Sequence, residues 1–424
     1  MEVLLVVLLV LASVAALVYW RSQAVKKRPV PVATPEQQAS SIVEPSSTAS
    51  AAEPGESQAP PPGFLADFLG QGISKMRQGD YGGAVLDFNQ ALRVDPNNAD
   101  AYANRGGAYY YLGNIQKTLE DFNQALRLDP QLFSAYINRG NLRRSLGDFN
   151  GAITDYDQAL ALAPEHADVY YGRGICRYNL GDYQGALIDL SQAVQLNPSS
   201  VDAFCDRGNV YFGLGELQNA IADYDRALQL DANHARSYLC RGAVLAEQGE
   251  TQAAIDDFTQ TLRINPKDHT AYYQRAAVLD RQGDTEVALE DLNQALKLSP
   301  NYIAAYNLRG QVRESLGDLQ GALEDYSQVL RIDANNAIAY YNRGHLRSRL
   351  AEYPTAVEDY TKAVSLDVNF AKAYLERGLT YEQLGDWQPA LKNLQKAAEL
   401  LQAQGKTGEL YQQALSSLQR LKAR

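Results

Sequence analysis

Apolar and small side chains recur along this chain on two scales. Within short stretches they return every three or four residues. Tyr102, Gly106 and Tyr109 share one face of a helix, and Leu119, Phe122 and Leu126 share one face of a second. On the longer scale the whole pattern returns every 34 residues. Glycine marks the interval at Gly79, Gly113, Gly147, Gly181, Gly215, Gly249, Gly283 and Gly317; Ala351 takes the next mark and Gly385 restores it. Gly113 falls where the first helix must stop, since glycine accepts the left-handed backbone that ends a helix. Counting each period so that Tyr102 is position 4, that position is aromatic ten times, from Phe68 to Tyr374. Position 8 is glycine except at Ala276, position 20 is alanine except at Thr118, and position 27 is alanine except at Thr261 and Val329.

Each period therefore predicts two helices joined by a tight turn, ten pairs over about residues 66–405. A unit this short cannot bury its apolar face alone, so neighbours must stack into a solenoid rather than collapse around one core. Pro96, Pro130, Pro164, Pro198, Pro266 and Pro300 follow the second helices and are expected to block their extension. Gly106 and its equivalents sit inside helices, at a cost of about 1 kcal/mol each relative to alanine. Tolerating that cost in nine periods implies that another helix passes very close, and Ala84 and its equivalents make the matching demand.

Residue by residue the periods resemble the tetratricopeptide repeat family. Ala101-Tyr102 through Leu112-Gly113-Asn114 parallels Ala135-Tyr136 through Leu146-Gly147-Asp148, and Leu119 to Leu126 parallels Ile153 to Leu160. The resemblance implies an all-α, right-handed solenoid of about ten helix-turn-helix repeats, and the style of the repeats suggests a bacterial source. It also implies that first helices line a concave groove, chiefly through positions 2, 5, 9, 12 and 13. Position 12 reads Tyr110, Arg144, Tyr178, Phe212, Ala246, Asp280, Glu314, Ser348 and Glu382 from repeat two onward. Position 5 adds Tyr171, Tyr273 and Tyr341, and position 9 adds Asn141, Asn209 and Gln311. The early groove is thus aromatic and amide-rich and the later groove acidic, which suits an extended peptide with an apolar part and a basic part. The alternative is that these tyrosines only pack against neighbouring repeats. The carboxylate clamp of chaperone-binding members is a poor match, because no repeat has the lysine it needs at position 5; Asn104, Asn138 and Asn342 are fragments of it.

One departure from the family pattern is systematic. Position 7, commonly a large apolar residue, is arginine in nine repeats (Arg105 to Arg377), and position 23 is aspartate in nine (Asp87 to Asp359). Opposite charges at fixed register predict a ladder of ion pairs, within a repeat or to the preceding one. The competing reading is a row of arginines that grips carboxylates of a ligand.

Outside the repeats, Val3 to Trp20 is an uncharged apolar run. With Met1 it spans about 30 Å as a helix, close to a hydrocarbon core. Tyr19 and Trp20 stand where interfacial aromatics belong, and Arg21, Lys26, Lys27 and Arg28 follow. This predicts a single-pass anchor over 1–20 with the rest cytoplasmic. A cleaved signal peptide and export is the alternative, disfavoured by Glu2 in place of a basic start. Residues 21–63 form a basic stop and a linker whose 29–63 stretch has eight of the chain's 16 prolines and no aromatic residue; such a composition cannot offset its ordering entropy. Residues 64–405 are the repeats. Thr407 to Lys422 spaces Leu410, Ala414, Leu418 and Leu421 as one amphipathic capping helix over 406–424.

Charge narrows the partners. The chain carries −11 overall, −1 in residues 1–63 and +3 in 406–424, which leaves −13 on the repeats. That field disfavours nucleic acid. Cys176, Cys205 and Cys240 make neither a disulfide framework nor a zinc spacing. His166, His234 and His269 lie near inter-repeat turns and read as surface-turn residues; His345 clusters with none of them. No catalytic constellation or phosphate loop is visible, so neither an enzyme, a cofactor, a metal nor a small-molecule substrate is expected. The expected function is a membrane-tethered scaffold that binds peptide segments of other proteins. An assembly factor that escorts clients into a membrane complex, and a regulatory subunit of an enzyme complex, are the alternatives.

Overall fold

The computed structural model describes residues 62–423. The expected anchor and nearly all of the expected linker lie outside them. Every regular element among the described residues is an α-helix, and they come in pairs. The first pair is Pro62–Arg77 with Tyr81–Val94; Ala99–Tyr111 with Ile115–Leu128 follows, and the series ends at Ala371–Leu384 with Trp387–Ala403. From repeat two onward first helices start at position 1 and second helices at position 17, so the 34-residue period is the period of the structure. No described helix is long and apolar enough to cross a membrane.

The turn inside a pair is a single left-handed residue. Gly113 has φ 74° and Gly283 φ 100°; at Ala351 an alanine is held at φ 60°. The Gly113 amide donates to the Tyr110 carbonyl and the Asn114 amide to the Tyr109 carbonyl, which satisfies the last carbonyls of the first helix. The next residue then caps the second helix: Asp148 Oδ1 accepts from the Gly151 amide at 3.0 Å.

Proline is not required for the stop of the second helix. Repeats with Ala232, Ala334 or Val368 in place of proline end at the same register as the others. In these three the residue one earlier supplies the stop. Asp231, Asp333 and Asp367 are extended, and their carboxylates accept the amide two residues on at 2.9, 3.0 and 2.9 Å. Asp95 and Asp129 do the same in proline-containing repeats. This side-chain turn competes with the next helical hydrogen bond. Repeat ten has Leu401 there and no proline, and its second helix runs on to Ala403.

Glycine at position 8 admits the ring of position 24. A Cβ on Gly140 would lie 2.9 Å from the Tyr156 ring, and one on Gly208 would lie 2.6 Å from the Tyr224 ring. Ala84, Ala152, Ala186 and Ala220 at position 20 are fully buried. The described chain forms two compact units, one ending at Ser237 and the other starting at Tyr238. Within each, a first helix packs on its own second helix, which packs on the first helix of the next repeat. In the second unit Glu409–Lys422 covers the last pair, burying Ala414, Leu418 and Leu421 beside Leu375 and Leu394.

Candidate protein-binding face

The charges at positions 7 and 23 form a ladder. Arg105 donates from Nε and Nη2 to the two oxygens of Asp121 at 2.8 and 2.7 Å, and from Nη1 to Asn89 of the preceding repeat at 2.6 Å. Arg309 repeats this with Asp325 and Asn293, and Arg139 with Asp155 and Asn123. Each guanidinium also lies over the position 4 ring: Arg105 is 5.2 Å from the centre of Tyr102 and Arg173 is 5.5 Å from that of Tyr170. The planar fork of arginine matches this task, whereas a lysine has one point charge to offer. One residue therefore ties its own second helix, the preceding second helix and its own helix surface. These donors are occupied within the lattice, which favours the structural reading of the ladder over the grip.

Two parts of the ladder escaped pattern reading. Arg143, Arg177, Arg313 and Arg347 at position 11 bring a second guanidinium to Asp155, Asp189, Asp325 and Asp359, at 2.8 to 3.0 Å. Their spacing of four from the position 7 arginine was the available signal. Position 25 supplies the acceptor for the preceding-repeat bond in several chemistries: Asn89, Asp157, Thr259 and Ser327. The ends deviate. Lys75 reaches Asp87 at 2.7 Å in repeat one, and Arg377 meets Asn393 at 2.9 Å in repeat ten, where burial lowers its pKa.

Positions 5, 9 and 12 leave each first helix on one side. In the first unit they place Tyr110, Asn141, Arg144, Tyr171, Tyr178, Asn209 and Phe212; in the second, Tyr273, Asp280, Gln311, Glu314, Tyr341 and Glu382. Gln311 is exposed and the others are half-buried, so none is sealed from solvent. Tyr110 meets Tyr111 edge-on at 5.6 Å and Tyr178 meets Tyr183 edge-on at 5.6 Å. Other assignments need correction. Asn141 and Asn209 spend their oxygens on the hydroxyls of Tyr156 and Tyr224, at 2.7 and 2.9 Å, and so brace the core. Tyr171 donates to Asp206 at 2.8 Å; Tyr273 packs on Tyr302 and Tyr341 on Phe370, with ring centres 5.1 and 5.0 Å apart. Burial raises these three phenols, Tyr341 to about 12. The acidic stretch is largely neutralised. Glu314 pairs with Arg349 of the next repeat and Glu382 with Arg420 of the closing helix. Asp280 has no ion-pair partner among the described residues, and burial raises its carboxyl. The expected docking of a basic segment there loses two of its three carboxylates.

Profiles described as "Tetratricopeptide repeat" match residues 99–132, 137–201, 337–369 and 372–401, and one described as "TPR repeat" matches 74–113, 208–249, 281–317 and 314–350. The chain belongs to the tetratricopeptide repeat family. Among solved structures it is similar to YrrB, described as a TPR protein with an unusual peptide-binding site, at 27% identity over 43% of this chain and 95% of that one, TM-score 0.38. It is also similar to a tetratricopeptide repeat protein from Parabacteroides merdae (20% identity, 58% and 98% of the two chains, TM-score 0.49) and to yeast Tom70 (17%, 85% and 96%, TM-score 0.40). No curated protein matches the chain.

The tetratricopeptide repeats of the first unit also hold an ionic knot. His234 donates from Nε2 towards Asp202 at 3.6 Å, while its Nδ1 lies 2.8 Å from the Ser237 hydroxyl. Arg236 pairs with both Asp202 and Asp206. The close approach of Asp202 raises the imidazole pKa, and His234 lowers that of the carboxyl. His234 is thus more than the surface-turn residue its position suggested. Among the described residues no group of three or more His, Cys, Asp or Glu side chains could hold a metal ion.

Proposed function

We propose that this tetratricopeptide repeat protein is a membrane-tethered scaffold that holds other proteins by extended segments laid along the first-helix face. The observation that carries this is the state of Tyr110, Tyr178 and Phe212. They are large rings, partly exposed to solvent, on the side of the repeats that the arginine ladder leaves free. Such rings supply contact area at low entropic cost and are frequent anchors in interfaces. The charge of −13 on the repeats argues against nucleic acid as the partner. The apolar run Val3 to Trp20 and the basic residues behind it support tethering, with the repeats on the cytoplasmic side.

A photoreactive residue placed at Tyr178 or Phe212 of the full chain, in cells, tests the reading. Both sites are expected to trap the same protein. A control at Thr154, exposed on a second helix, is expected to trap none of it. Equal trapping from Thr154 would end the groove assignment. Release of the chain from membranes by high salt or alkaline carbonate would end the tether.

A further inference from the structure

Arg144, at position 12 of repeat three, is unlike the arginines of the ladder. Its Nε is buried without a hydrogen-bond partner. Burial lowers its pKa, but the Tyr156 and Tyr171 hydroxyls and the Cys176 thiol, with a hydrogen bond to Tyr156, outweigh that and raise it. Burial raises the pKa of all three, so all are neutral at physiological pH. Tyr156 gives its proton to Asn141, which leaves only oxygen lone pairs for the guanidinium. No carboxylate among the described residues forms an ion pair with Arg144.

The same register elsewhere shows how the fold treats a charge at position 12. Glu314 meets Arg349 at position 13 of the next repeat, and Glu382 meets Arg420. The residue corresponding to Arg349 beyond Arg144 is Asn179, whose amide donates back to the Ile175 carbonyl at 2.7 Å. Asp280, also unpaired, shows the other escape: its carboxyl is shifted towards the neutral form. A guanidinium cannot lose its proton, so Arg144 keeps its charge in a half-buried site with only neutral oxygens and a thiol around it and one N–H, at Nε, left without an acceptor.

We propose that Arg144 receives the side-chain carboxylate of a single aspartate or glutamate in the bound segment, with Tyr178 and Phe212 against its apolar neighbours. The inference rests on the groove reading above. The negative field of the repeats selects a lone acid in a neutral segment over an acidic run.

The test uses the immobilised full chain and short N-acetylated peptide pools built from Ala, Leu, Tyr, Ser and Gln. One pool has a fixed central Glu and an amidated end, one a central Gln and an amidated end, and one a central Gln and a free terminal carboxylate. The natural chain is expected to retain the Glu pool about tenfold over the amidated Gln pool, the discrimination of one charge-assisted contact. Arg144→Gln should abolish that preference while melting no lower than the natural chain, and Arg144→Lys should restore part of it. Retention of both amidated pools without discrimination overturns the role of Arg144 and leaves the groove reading intact. Retention of no pool overturns both. Preference for the free terminus alone overturns the side-chain source, and a lower melting temperature for Arg144→Gln makes Arg144 a lattice contact.

Discussion

Arg207→Ala probes the ladder at a rung with little further support. Arg207 holds Asp223 through Nε and Nη2, both at 2.7 Å, and touches Ser191 of the preceding repeat from Nη1 at 3.5 Å. It also lies 5.5 Å from the centre of the Phe204 ring. Position 11 of this repeat is Tyr211, so no second cation reaches Asp223, which is 6% exposed. Truncation strands a buried carboxylate, at a cost of about 3–5 kcal/mol, and loses a cation–ring contact of about 0.5–1 kcal/mol. Arg173→Ala is the internal control. Asp189 keeps Arg177 at 2.8 Å, so the loss there should approach that of hydrogen bonds to a charged group, about 1.5–3 kcal/mol. Stability in a solenoid is a sum of repeat and neighbour terms, and one melting temperature blurs it. Native-state hydrogen exchange resolves it. Arg207→Ala should lower protection in Leu217–Leu230 and Tyr183–Leu196 and spare Leu319–Ile332. The pair Arg207→Met with Asp223→Leu should recover most of the loss. The reasoning fails if Arg173→Ala costs as much as Arg207→Ala, or if protection falls evenly along the chain.

Three further outcomes follow from named contacts. Ala186 is fully buried against Leu190 and Val210, so Ala186→Leu should destabilise by about 1–3 kcal/mol through overpacking; unchanged urea unfolding would refute the close helix approach. Ala351 is held at φ 60° where nine repeats use glycine, so Ala351→Gly should stabilise by about 0.5–1 kcal/mol, the relief of left-handed strain less the entropy glycine adds to the unfolded chain; a loss of stability would contradict it. His234 should titrate above its ordinary value of 6.5. Its stabilising contribution is complete below that value and is lost as pH rises through the raised one; that of Asp202 is lost as pH falls through its lowered one. In an NMR titration Asp202→Asn should bring His234 back towards 6.5, and an unmoved value would refute the pairing.

Much of the molecule was legible in the chain because a fixed period repeats both composition and register. Gly106 and Gly140 announced the close approach of Phe122 and Tyr156, and the charges at positions 7 and 23 announced their own ladder. What the period contains is the relation of residues inside one helix pair. The sequence by itself therefore determined the ten helix pairs, their turns and the side of each first helix that carries Tyr110, Tyr178 and Phe212. Contacts between pairs depend on how far one pair is turned and shifted against the next, and a linear pattern does not state that. Only the tertiary structure decided that Tyr171 donates to Asp206, that Arg349 and Arg420 neutralise Glu314 and Glu382, and that Arg144 meets no carboxylate. The physical reason is reach: an ion pair is set within a few ångströms by the packing of separate helices, while side-chain periodicity specifies only which face a residue occupies.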